Sequence, residues 1–209
     1  VGLDHLIDSD AEVAIITPPR GKDPCSDDAL RLIRHSAAHV MAEAVQAVYP
    51  DAMLVYGPPV ENGFYYDIAL PEGVSISTDD FERIELHMNE IIKADRPFTR
   101  CDMDLSSGMK RLQGEGSKYK IDNAERAIDG GAETLSWYTT GTPDENWDDL
   151  CGGPHVPSTG HIGAAKVMTV AASYWHGDAN SDHLTRLYGT AFPDKKRLAS
   201  HLEQLEEAR

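Results

Sequence analysis

Between Ser26 and Pro50 the chain carries one long apolar stripe at helical spacing: Leu30, Ile33, Ala37, Val40, Met41, Ala44 and Val48. A stripe of that length fits neither a strand nor a turn, and it predicts an amphipathic helix over residues 26–49 lying on a core. Ser26 is the predicted N-cap, Asp27 and Asp28 suit the positive end of the helix dipole, and Pro50 closes the run. At about 100° per residue, His35 and His39 fall nearly opposite the stripe, with Gln46 beside them and only Ala38 and Ala42 on their flank. Two imidazoles one turn apart on that face are either solvated or form the wall of a cleft. In the second case the small alanines let a ligand or another element come close.

A second pair with the same separation, Cys151 and His155, stands in Cys-Gly-Gly-Pro-His. Gly152, Gly153 and Pro154 cannot continue a helix, so this pair converges through a tight loop, and the glycines let a ligand approach the main chain. Four groups able to bind a metal or move a proton, supplied as two short pairs, point to one assembled site.

The rest of the chain reads as a mixture of helices and strands. Strands are predicted at 12–16, 53–55, 64–68 after the Asn62-Gly63 turn, 98–103, around 119–121, 133–140, 146–150, 167–174 and 184–190. Helices are predicted over 79–94, with capping-box chemistry in Ser77-Thr-Asp-Asp80, over 106–113, and over 195–208. This pattern is α+β with largely antiparallel sheet.

At 209 residues the chain can bury a real core. It has no run of about 18 apolar residues and no basic, apolar leader, and its three cysteines suit a reducing compartment. A cytoplasmic location, away from membranes, is the expectation. The net charge of −16 argues against a stand-alone, tight nucleic-acid binder. Cations do cluster, at Lys110, Arg111, Lys118 and Lys120 and again at Lys195, Lys196 and Arg197.

Six motifs in a fixed order give the chain its family resemblance: Arg34-His-Ser-Ala-Ala-His39, Gly57-Pro58, Glu61-Asn-Gly-Phe-Tyr-Tyr-Asp67, Asp149-Leu-Cys-Gly-Gly-Pro-His-Val-Pro157, Ala172-Ser-Tyr-Trp-His-Gly-Asp178 and Leu187-Tyr-Gly-Thr-Ala-Phe192. In these it resembles the N-terminal editing region of bacterial-type threonyl-tRNA synthetases, without the aminoacylation domain. The resemblance implies a two-lobed editing domain over 26–209, with mostly antiparallel sheet and flanking helices. Its second lobe would span about 150–209, including the additional synthetase subdomain. Residues 1–18 would be the last part of a β-grasp domain and 19–25 a linker.

The implied activity is hydrolysis of seryl-tRNA(Thr) by water attack on the ester. Serine is threonine minus a methyl, a difference worth only about 1–3 kcal/mol to a binding pocket, so a second, hydrolytic site must clear the error. The implied catalytic residues are His35, His39, Lys120, Cys151 and His155, and the implied substrate-binding residues are Gly57, Tyr66, Asp149, Gly152 and Gly153. The implied partners are tRNA(Thr) carrying serine and the aminoacylation and anticodon-binding domains of the same polypeptide. Gly152 and His176 depart from the family's usual arginines. No cofactor is implied. The set His35, His39, Cys151 and His155 equally has the make-up of a zinc site, as in the related alanyl-tRNA editing family. A zinc-dependent deacylase and a non-catalytic aminoacyl-tRNA- or protein-binding module stay open as alternatives.

Overall fold

The computed structural model describes residues 6–19 and 23–208. Its organising element is α1 (Asp27–Val48), capped by the Ser26 hydroxyl, which accepts the Ala29 amide at 3.2 Å. The apolar stripe of α1 lies on an antiparallel sheet formed by β1 (Met53–Tyr56), β2 (Pro59–Val60), β3 (Gly63–Ala69), β7 (Ala164–Tyr174) and β8 (His183–Phe192). The sheet order is β1-β3-β8-β7, with β2 pairing to β3. Phe64, Tyr66 and Ile68 alternate along β3 and are buried together with Val40, Met41 and Leu187. Helix α2 (Phe81–Lys93) packs beside α1 through Ile84, Met88 and Ile91.

Between α2 and β7 the chain builds a second lobe. Strands β4 (Phe98–Asp104), β5 (Thr134–Thr140) and β6 (Asp148–Leu150) form a three-stranded antiparallel sheet. It is joined by α3 (Leu105–Glu115) and α4 (Lys118–Asp129), and its small core holds Leu112, Ala124, Leu135 and Trp137. Helix α5 (Lys195–Glu207) ends the described chain. The protein is thus α+β with antiparallel sheets, and no helix among the described residues is long and apolar enough to cross a membrane.

Three expectations meet a different arrangement. Residues 119–121, expected as strand, lie in α4. The Ser117 hydroxyl accepts the Lys120 amide, and Ile121, Ala124 and Ile128 recur at helical spacing on the small core. The expected strand at 12–16 is absent from the described residues. Val13 and Ile15 are exposed there without a pairing partner, and a lone strand leaves its backbone groups unpaired. Finally, the second lobe is the 98–150 segment rather than 150–209, because β7 and β8 return to pair beside β3: Tyr66 faces Leu187, and Val170 faces Leu187 from the other side. Residues 1–5 of the expected β-grasp remnant and 20–22 of the expected linker lie outside the described residues.

Candidate functional site

A cleft of about 1130 Å³ opens where the two lobes meet, lined from α1, β1, β3, α4, β6 and the loop after β6. The loop folds back because Gly153 takes φ +65°, a left-handed conformation, with its α-carbon packed against Tyr138; an added Cβ would lie 2.3 Å from the Tyr138 hydroxyl. The turn puts Cys151 Sγ 3.3 Å from His35 Nε2 and 3.4 Å from His155 Nε2. His39 joins them, so that one ligand atom from each of the four residues lies within 4.8 Å of the others. The two sequence pairs therefore form a single cluster, although His155 itself lies behind the lining rather than on it.

The face of α1 that carries the histidines is covered rather than solvated. His39 is 2 % exposed, against Trp147 and His155, and His155 stacks between His35 and Phe98 at centroid distances of 4.2 and 4.8 Å. The hydrogen-bond network assigns two tautomers. The Pro154 carbonyl accepts from His35 Nδ1 at 3.0 Å. Ser36 gives its hydroxyl proton to the Leu32 carbonyl and takes the Val156 amide, so it can only accept from His155 Nδ1, at 3.1 Å. Both Nε2 lone pairs are left facing Cys151. Burial pushes the His39 pKa down to about 3, lowers those of His35 and His155, and pushes the Cys151 thiol up to about 12. The cluster is uncharged at neutral pH.

Beside it sits a charged triad. Lys120 Nζ lies 2.6 Å from Asp149 Oδ1 and donates to the Tyr66 hydroxyl at 3.0 Å, while that hydroxyl donates to Asp149 Oδ2. Burial favours the neutral acid at Asp149, but the Lys120 ammonium together with the hydrogen bonds from Lys120 and Tyr66 holds the carboxyl below its usual range. Burial, then the Asp149 charge, raises Tyr66 well above the usual phenol range. Gly57 is needed for contact, since a Cβ there would lie 2.2 Å from the Tyr66 ring. Of the loop amides, Cys151 is bonded to the Ser136 carbonyl and Gly153 faces the Cys151 sulfur. The Gly152 amide, at an open position, has no acceptor among the described residues.

Ser36 escaped the sequence reading. Its one signal was a hydroxyl between two histidines on a helix, and its partner lies 119 positions away. The walls Phe98, Tyr138 and Trp147 left no local signal. His176 sits at the cleft mouth, with Nε2 3.1 Å from Asp122 Oδ2.

Residues 135–188 match the family model described as the threonyl and alanyl tRNA synthetase second additional domain. Along its whole length the chain is 43% identical to the threonine–tRNA ligase of Anaeromyxobacter dehalogenans. It is 44% identical over 206 residues to that of Acidithiobacillus ferrooxidans and 43% identical over 194 residues to that of Rhodopirellula baltica. These matches cover 100%, 99% and 93% of this chain but 30%, 30% and 25% of the relatives. The chain therefore spans under a third of the length of the curated relatives it matches.

Proposed function

We propose, from the chain's end-to-end similarity to one segment of threonine–tRNA ligases, that its cleft hydrolyses the ester joining serine to the 3′-terminal ribose of tRNA(Thr). The observation that carries this reading is the meeting of an uncharged histidine cluster with a buried ammonium in one open cleft. Water attacks the ester carbonyl and passes a proton to a neutral imidazole; His35, the partly exposed member, whose unprotonated Nε2 the water reaches by displacing the weak Cys151 thiol contact, is the base assigned. The Lys120 ammonium, fixed by Asp149 and Tyr66, and the Gly152 amide face the negative charge that develops on the carbonyl oxygen. Collapse breaks the bond to the ribose oxygen, which takes up the proton, and serine leaves. Cys151, held as a thiol, orients His35 and lines the pocket instead of attacking. Serine must fit and the extra methyl of threonine must not. The partners of this reading are tRNA(Thr) and further domains of the same polypeptide.

Deacylation of seryl- and threonyl-tRNA(Thr) under single-turnover conditions tests it. Seryl-tRNA should be cleared and threonyl-tRNA spared, and Lys120→Ala should slow clearance by about 100-fold or more. Circular dichroism checks the fold of that variant, since Asp149 loses a buried partner. An unchanged rate in folded Lys120→Ala removes the assignment, and binding without turnover favours a recognition module.

One observation favours a second reading. Each Nδ1–H of His35 and His155 is tied to an outer acceptor, with both Nε2 atoms turned inward beside a cysteine sulfur, which is how histidine is held for metal binding. The Sγ–Nε2 distances suit ligand atoms about 3.5 Å apart around tetrahedral zinc. Three of the four residues His35, His39, Cys151 and His155 would hold the ion in a catalytic site, leaving one position where it would supply a water acidic enough to ionise near neutrality; all four together would make a closed, structural site.

A further inference from the structure

The hydrolytic chemistry uses the floor of the cleft and leaves its mouth unexplained. Among the cationic side chains lining the cleft, Lys120 is paired with Asp149, and Arg186 grips Asp67 through two hydrogen bonds of 2.7 Å. Two exposed guanidinium groups remain, Arg31 on α1 and Arg126 on α4, and among the described residues neither makes an ion pair. Arg126 is aimed. Its Nη1 lies 3.5 Å from His176 Nδ1, and the same ring sets Nε2 3.1 Å from Asp122 Oδ2, a close approach without hydrogen-bond geometry. The His176 ring is itself stacked on Trp175, 4.7 Å away and tilted 27°. This histidine stands where the motif usually has arginine, and it delivers a neighbouring guanidinium to the mouth.

The same opening carries aromatic surface. Tyr56 lines it and is 55% exposed, while Trp175 is fixed edge-on against Tyr119. In a chain of net charge −16 the overall field repels a polyanion, so unpaired cations at one opening decide which part of it enters. Unpaired guanidinium groups beside an exposed aromatic face suit single-stranded nucleic acid, whose phosphates take the first and whose bases stack on the second.

We propose that Arg31, Arg126 and Tyr56 form a docking rim for the single-stranded 3′ segment of the RNA, with the two arginines on its phosphates and Tyr56 under one of its bases. This rests on the deacylase reading for the direction of the strand, with the esterified end running inward to Lys120. The three are positioning residues, since they hold the RNA and not the reacting ester.

The test is binding of a labelled, uncharged single-stranded RNA with the 3′-terminal sequence of the tRNA, followed by fluorescence anisotropy over a range of salt. Arg31→Gln and Arg126→Gln should each weaken binding about three- to fivefold. Each should also make log K less steep in log salt by roughly 0.7, one phosphate contact on a single strand. Arg126→Lys should keep the parental slope, and Tyr56→Ala should weaken binding without altering it. With seryl-tRNA, both arginine variants should raise KM and leave kcat in place. Parental salt slopes in both arginine variants, or no RNA binding by the parent, overturn the rim whatever the hydrolysis assay gives. Reduced slopes in a protein that clears no seryl-tRNA uphold the rim and end the deacylase reading.

Discussion

At the scale of single residues, two of the three clustered imidazoles are told which nitrogen to protonate. His35 receives that instruction from a main-chain carbonyl and His155 from Ser36, so both lone pairs converge on Cys151. The zinc reading is decided at this scale. Protein purified without added metal and then titrated with zinc should, on that reading, bind one ion and gain about 2.7 kcal/mol of unfolding free energy at 100 times Kd. His35→Gln should abolish the gain. Elemental analysis that finds no bound zinc, with an unfolding midpoint indifferent to it, ends the metal reading and leaves Lys120 as the charge in the pocket.

At the scale of elements, the site depends on how closely the β1–β2 connection approaches β3. Gly57 lies over the Tyr66 ring, with a built Cβ only 2.2 Å from Cδ2 and 2.6 Å from Cε2, and that ring is 2% exposed. Gly57→Ala must push the ring aside and pull its hydroxyl from Asp149 and Lys120. We expect a loss of about 1–3 kcal/mol in urea unfolding and a parallel loss of seryl-tRNA clearance. A variant as stable and active as the parent would show that the connection has room. The elements were unevenly legible. Helix α1 announced itself through its stripe, cap and proline, and the 62–63 turn announced β3. Helix α4 did not, because Tyr119-Lys-Ile121 shows too few residues for its period to separate helix from strand. Its misreading put Lys120 on a strand, whereas it lies in the first turn of α4.

At the scale of the whole molecule, three imidazoles are kept neutral because closing the two lobes over α1 takes them out of water. The pKa of His39 is about 3 in the folded protein, below the ordinary 6.5. Between those values the unfolded chain binds a proton that the native one does not, so stability is complete above pH 6.5 and falls on acidification by about 1.4 kcal/mol per pH unit for this residue. His35 and His155 shift in the same direction. Urea unfolding with chelator present should therefore show at least about 2 kcal/mol less stability at pH 5 than at pH 7. His39→Gln should flatten the profile, and equal stabilities at the two pH values would show that the lobes do not dehydrate the cluster. The sequence by itself determined the helix, the hairpin and the loop, because period, capping and backbone restriction act over a few neighbours. Only the tertiary structure decided that 98–150 forms the second lobe, that the far face of α1 is covered, and that Ser36 holds His155. Those depend on contacts between residues far apart in the chain, where burial sets charge and no local pattern records the partner.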